Sequence, residues 1–217
     1  MDKSKYKSLG TSYWYVTLVV VILAGAAAVT YAIITTSNSI KASLIQRTDS
    51  MAELIPPDSI AKLNGDESDL QLPEYQELKD DLMAIRESNR DIRFIYILSL
   101  RNSSNEAYFA IDSERPGSEG YSPPGQAYPE GLKDVRAIYE QKTSRVLPIE
   151  RDRWGIWLSA FSPIFDADKE HVVGVFGMDV PAGYYYRQIA ITAAVPLLLT
   201  LIMDGFDICL CAPNRQA

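Results

Sequence analysis

The side chains that usually carry catalysis or bind metals are scarce in this sequence of 217 residues. Its one histidine is His171, and its two cysteines, Cys209 and Cys211, lie close together near the C-terminal end. The sequence contains no nucleophile elbow, no phosphate-binding lysine loop and no zinc-protease motif. We therefore expect no catalytic residue, no metal site and no cofactor, and we do not expect this chain to be an enzyme.

Carboxylates are the abundant polar groups. The net charge is −7 and the isoelectric point is near 4.8. The stretch from 37 to 188 alone has 17 basic and 25 acidic side chains, a net charge of −8. This balance argues against a nucleic-acid partner and leaves small cationic or zwitterionic ligands open.

Two apolar segments enclose that stretch. The first, Val16–Ile34, has 19 residues without a charge, which as a helix extends roughly 28 Å and matches the ~30 Å hydrocarbon core of a membrane. Lys3, Lys5 and Lys7 precede it, so the positive-inside rule places the N-terminus in the cytoplasm. We expect a membrane anchor over 16–36, and a cleaved signal peptide is the alternative.

The second apolar segment, Ile189–Met203, is an uncharged run of 15 residues that contains Pro196. We expect it to be a second membrane span, since membrane helices tolerate proline. A helix buried in a bundle is the alternative interpretation. The domain organisation is thus a cytoplasmic start (1–15), a span (16–36), an external domain (37–188), a span (189–203) and a tail (204–217).

The external domain reads as α+β, with a long N-terminal helix and an antiparallel sheet. A helix is expected to run on from the first span over Asn38–Leu54, and Pro73 begins another. The remaining expected elements are strands at 92–100, 107–112 and 145–149, a short helix at 131–141, and a closing hairpin of 155–165 with 171–180.

The hairpin carries a resemblance to a known family. The sequences DRWGIWLSAFSPI (152–164) and VVGVFGMDV (172–180) resemble the end of Cache-type sensor domains. These are PAS-like extracytoplasmic modules of bacterial histidine kinases, diguanylate cyclases and chemoreceptors. The resemblance implies a single Cache domain between two spans in the bacterial inner membrane, with the domain in the periplasm or outside the cell.

The resemblance also implies a ligand pocket on one face of the sheet. Family pockets bind small molecules, so an amino acid, an amine or an organic acid is the expected ligand. Asp152 matches the family aspartate that meets a ligand amine, and Trp157 and Ser159 share one face of their strand. The full set of candidate ligand-binding residues is Tyr96, Asp112, Tyr121, Asp152, Trp157 and Ser159.

Signal is expected to leave the domain through Asp179 and Pro181, with Asp179 as the N-cap of the helix into the membrane. Family members continue into an output domain. We expect the tail from 204 to 217 to reflect a truncation or a frame shift, and an output domain on another chain is the alternative. Ala24 and Ala28 form a small-residue patch that suits a homodimer, and the alternative is that these alanines are ordinary helix-forming residues. The alternative function is a PAS-like dimerisation or protein-interaction module that binds no small molecule.

Overall fold

The computed structural model describes residues 3–101 and 104–211, with side-chain surroundings for 14–101 and 104–205. Its helices are α1 (Lys3–Ala52), α2 (Pro57–Ala61), α3 (Pro73–Ser88), α4 (Leu132–Gln141) and α5 (Ala182–Cys211). Two short 3₁₀ helices span Glu67–Gln71 and Pro129–Gly131. The strands are β1 (Phe94–Arg101), β2 (Glu106–Asp112), β3 (Arg145–Val146), β4 (Glu150–Arg151), β5 (Ile156–Phe165) and β6 (Val172–Pro181).

Residues Ile40–Tyr185 form one compact unit built on an antiparallel sheet. The strand order is β2-β1-β6-β5-β3, and β4 pairs with the other end of β5. The longest ladder joins β5 to β6 and brings Ser159 opposite Asp179. The predicted α+β class with a long N-terminal helix is therefore confirmed.

Both faces of the sheet are buried, which explains the nearly continuous apolar run of β1. Tyr96 and Leu98 point towards α4 and share a cluster with its Val135 and Ile138. Ile97 points the other way, near Ile60 of α2. The C-terminal part of α1 lies on that second face too, because its Asp49 accepts a hydrogen bond from Ser162, which shares the face of Ile97.

The predicted strands differ from the structure mainly at their ends. The expected strand at 145–149 shortens to the two residues of β3, and the chain then forms β4, which the sequence pattern did not indicate. The short helix α2 and the 3₁₀ helix at Glu67–Gln71 were also not expected. Elements of five residues or fewer contain too little periodicity to be predicted.

Two helical segments, Trp14–Ala52 and Ala182–Gly205, are long and apolar enough to cross a membrane. They contribute to a second compact unit formed by residues 1–39 and 186–217. Within it, Gly25 contacts Thr200: a Cβ at Gly25 would lie 2.2 Å from the threonine hydroxyl oxygen. The neighbouring Ala24 and Ala28 are exposed.

Candidate functional site

A cavity opens on the face of the sheet that carries α4, near the ends of β1, β2 and β6. The enclosed volume is about 20 Å³, room for one group the size of a water molecule or an ammonium, and the space out to the open mouth is about 300 Å³. Three lining side chains are carboxylates and five are aromatic, and we call this space the first cavity. Its lining residues are Phe94, Ile95, Tyr96, Phe109, Asp112, Gly120, Ser122, Tyr128, Asp152, Trp154 and Asp179.

The aromatic side chains are set at steep angles to one another. Tyr96 meets Phe109 edge-on, with ring centroids 5.4 Å apart and planes at 74°. Phe109 meets Trp154 in the same way, at 5.5 Å and 83°, and lies 5.1 Å from Tyr128. Edge-to-face packing holds these rings in fixed orientations, so they present both faces and edges to the cavity.

Asp179 lies on the floor of the first cavity, with only 4% of its surface exposed. The Tyr96 hydroxyl donates a hydrogen bond of 2.9 Å to its Oδ1. This bond depends on Gly177, which pairs with Tyr96 across the β1–β6 ladder. A Cβ at Gly177 would lie 2.2 Å from the Tyr96 ring, so the ring reaches over the glycine to the aspartate two residues further on.

Burial raises the pKa of the Asp179 carboxyl to about 7. The nearby charge of Asp152 raises it as well, while hydrogen bonding from Ser159 and Tyr96 partly opposes the change. Burial is likewise the main reason why the pKa values of the Tyr96 and Tyr128 hydroxyls are raised. Near neutral pH, Asp179 is therefore poised between its protonated and charged forms.

Asp152 is held by a turn between β4 and β5. Its Oδ1 accepts hydrogen bonds from the backbone N–H of Trp154 at 2.8 Å, the backbone N–H of Gly155 at 2.9 Å and the indole Nε1 of Trp157 at 2.8 Å. Among the described residues, none donates to Oδ2. Asp152→Ala would leave three donors without their acceptor, so Asp152→Asn is the substitution that tests the charge alone.

Asp112 closes the other side of the first cavity and already has a cationic partner. Lys79 of α3, only 5% exposed, places its Nζ 2.5 Å from Asp112 Oδ1, and the backbone N–H of Ser122 donates to Oδ2 at 2.7 Å. Burial raises the pKa of Asp112, and the Lys79 ammonium partly counteracts this. The same ammonium lies 4.8 Å from the centre of the Tyr121 ring.

A second cavity, of about 390 Å³ with its open mouth, shares Tyr128 and Asp152 with the first. It is bounded by α4, β4, β5 and the chain around Leu147. Its remaining lining residues are Glu130, Gly131, Asp134, Leu147, Pro148, Glu150, Arg151, Trp157, Ser159 and Phe161.

A separate, wider cleft lies beside the C-terminal end of α1 and the β5–β6 turn. The Ser162 hydroxyl donates to Asp49 Oδ1 at 2.8 Å and lies 3.0 Å from the Ser144 hydroxyl. Lys142, also in its lining, donates to the backbone carbonyl of Glu170. Asp49, Ser144, Ser162 and Lys142 thus have partners within the protein.

The structure distributes the candidate ligand-binding residues over both cavities. Tyr96 and Asp112 line the first cavity, Trp157 and Ser159 line the second, and Asp152 lines both. Tyr121 lines neither and lies beside Lys79. Their roles in binding stay predictions.

The expectation that Asp179 caps the helix into the membrane is wrong. Asp179 lies within β6, and its side chain bonds to Tyr96 across the sheet instead. Pro181 is the last residue of β6, directly before α5 begins at Ala182. The alternation along β6 places Asp179 on the same face as Gly177, and this period-two pattern is the signal that would have placed it in the cavity.

Sequence reasoning also missed part of the lining. Phe109 and Tyr128 were not among the candidates, and Lys79 was not linked to Asp112, from which it is 33 residues distant. For Phe109, the alternation along β2 offered a weak signal. Nothing in the sequence pattern indicates that Tyr128, in a loop before α4, lies in the cavity wall.

No family profile matches this chain, and no curated protein matches it significantly. Among solved structures, the sensor domain of Escherichia coli DcuS is similar at a TM-score of 0.46 and 17% identity, covering 72% of this chain and 98% of its own. The ligand-binding domain of the Campylobacter jejuni chemoreceptor Tlp3, in complex with L-valine, is similar at 0.44 and 16%, covering 88% and 68%.

Proposed function

We propose that this chain is the input module of a membrane-anchored receptor, with a small amine-bearing molecule as its signal. The external domain, residues 37–188, binds this ligand in the first cavity, with the ligand's positive charge between Asp152 and Asp179. The receptor lies in the bacterial inner membrane, and α5 carries the signal to an output domain outside this sequence.

One observation carries this proposal: two carboxylates, Asp152 and Asp179, face a single cavity walled by aromatic rings. The charge of Asp152 contributes to the raised pKa of Asp179, so the two carboxyls repel each other when both are ionised. An ammonium group between them would replace this repulsion with two attractions. Buried charges are stable in proteins when they are paired in this way.

The membrane anchoring rests on the exposed apolar surface of the two helices. Large hydrophobic side chains are open to solvent along 15–34 and again along 184–203, among them Leu23 at 64% and Leu201 at 58%. A water-soluble helix would bury such residues, whereas lipid accepts them. The N-terminal lysines favour a cytoplasmic N-terminus, and the exposed Ala24 and Ala28 support a homodimer within the membrane.

Signal relay is proposed to start at Asp179 itself. It lies three residues before the first residue of α5, on the strand that leads directly into that helix. A ligand that ionises Asp179 changes the bonds that tie β6 to Tyr96 of β1 and Ser159 of β5. A shift of β6 then passes through Pro181 to the membrane helix.

The test is a thermal-shift screen of the full chain in detergent against amino acids, polyamines, organic acids and purines. A ligand at 100 times its dissociation constant adds about 2.7 kcal/mol to stability, which raises the Tm of a domain this size by roughly 5 to 10 °C. Asp152→Asn should abolish the shift, while the matched Asp168→Asn, in the exposed β5–β6 turn, should preserve it. A folded chain that no compound stabilises would contradict the proposal and favour the ligand-free interaction module.

A further inference from the structure

We infer that the ligand is an organic cation without a carboxylate, such as a primary amine or a methylated ammonium. This inference rests on the proposed function. This class is narrower than the amine-bearing molecules above, because it leaves out amino acids. The inference follows from which charges face the cavity and from what its walls are made of.

The first cavity holds three carboxylates, and none of the described residues that line it is basic. The nearest lysine, Lys79, is buried and already paired with Asp112. Arg93 forms an ion pair with Glu114, and its guanidinium lies 4.1 Å from the centre of the Phe94 ring. Arg153 lies 4.8 Å from the centre of the Trp154 ring and is paired with Glu130. A carboxylate on the ligand would therefore enter an acidic space whose neighbouring cations already have carboxylate partners.

The aromatic walls of the first cavity suit the alkyl or methyl groups of an organic cation. The rings of Phe109, Tyr128 and Trp154 are mutual neighbours, with centroid separations from 5.1 to 6.1 Å. Aromatic faces attract cations through their quadrupole, and rings at different angles surround a methylated ammonium better than a parallel stack does. The alkyl portion of an amine would be desolvated against the same rings.

Arg151 is a nearby cation that could receive a ligand carboxylate, and it sharpens the test. Arg151 lines the second cavity and forms no ion pair among the described residues. Acidic side chains surround it there too, with Glu130, Asp134 and Glu150 in the same lining. An amino acid that reached across both cavities would need Arg151, whereas a simple amine in the first cavity would not.

The experiment measures binding of matched pairs to the full chain in detergent by isothermal titration calorimetry. The pairs are phenethylamine with phenylalanine, cadaverine with lysine, and choline with glycine betaine, whose members differ at the carboxylate. We expect at least one amine to bind roughly a hundredfold or more tighter than its carboxylated partner, because like charges in a desolvated site repel strongly. Arg151→Gln should leave this affinity unchanged.

Substitutions of Trp154 test the role of the aromatic walls. Trp154→Leu should weaken binding of the amine by roughly three- to thirtyfold, and Trp154→Phe, which keeps a ring, should restore most of the affinity. Equal losses for both variants would contradict a role for the ring.

The outcomes separate the two proposals. Amino acids that bind as well as or better than their amines, with binding lost in Arg151→Gln, would overturn this inference and leave the sensor function standing. Failure of every compound to bind a chain that unfolds cooperatively would overturn both.

Discussion

Asp179→Asn gives a quantitative test of how the first cavity is built, because asparagine keeps the size and the hydrogen-bond acceptor but cannot ionise. In the folded protein the Asp179 carboxyl has a pKa of about 7, against an ordinary value of 3.8. Between these pH values the folded protein holds a proton that the unfolded chain has released. The contribution of protonated Asp179 to the free energy of unfolding is therefore fully present below about pH 4 and is lost as the pH rises through 7.

The size of the loss follows from the difference between the two pKa values. At about 1.36 kcal/mol for each pKa unit, the change from 3.8 to about 7 corresponds to roughly 4 kcal/mol. We expect wild type and Asp179→Asn to have similar stability at pH 4. At pH 8 the variant should be the more stable by about this amount, a Tm difference of roughly 8 to 16 °C.

The assay is thermal unfolding of the full chain in detergent from pH 4 to 8, followed by intrinsic tryptophan fluorescence. Other carboxyls with shifted pKa values, such as Asp112 and Asp91, titrate alike in both proteins, so the difference between the two curves isolates Asp179. Asp168→Asn, at an exposed position, controls for the loss of one carboxylate. Parallel curves for wild type and Asp179→Asn across this range would refute the buried-carboxyl argument.

Three further predictions follow from the same contacts. Choline, whose charge is independent of pH, should bind roughly a hundredfold more weakly at pH 5 than at pH 8, because its site requires ionised Asp179. Titration calorimetry at the two pH values measures this difference, and equal affinities would contradict it. Lys79→Met should destabilise the domain by roughly 3 to 5 kcal/mol, since it leaves Asp112 buried without its partner. In a denaturant titration, adding Asp112→Leu should recover most of this loss, and no recovery would argue against the ion pair as its cause. Gly177→Ala should destabilise by roughly 1 to 3 kcal/mol, because its methyl group overlaps the Tyr96 ring; an unchanged unfolding midpoint would show that the ring does not cross the glycine as described.

Much of the fold could be predicted because its long elements have strong patterns. The run from 92 to 100 is apolar on both faces because the sheet is covered on both, and α3 begins at Pro73, as its sequence indicates. The closing hairpin has clear turn residues between two apolar strands. The two-residue strands β3 and β4 have no periodicity, and their pairing with β5 depends on tertiary contacts.

The site was less predictable, because its geometry depends on register. Asp179 precedes a proline and a helix, which suggests a cap, yet its place in β6 turns the side chain into the cavity. Lys79 and Asp112 are 33 residues apart, and only the packing of α3 against the end of β2 joins them. Asp152 and Tyr96 were candidates from the sequence, whereas Tyr128 lies in a loop without a pattern.

An experimental structure of the protein with the tightest-binding amine of the paired set would test most directly whether the first cavity binds an organic cation. We expect density for the amine in the first cavity, with its charged nitrogen between Asp152 Oδ2 and the Asp179 carboxyl. A primary amine should lie within hydrogen-bond distance of both, and choline should contact both through its methyl groups. The aromatic rings of Phe109 and Trp154 should contact its alkyl portion. Density for the amine in the cleft beside Asp49 and Ser162, with the first cavity empty, would contradict amine binding between Asp152 and Asp179.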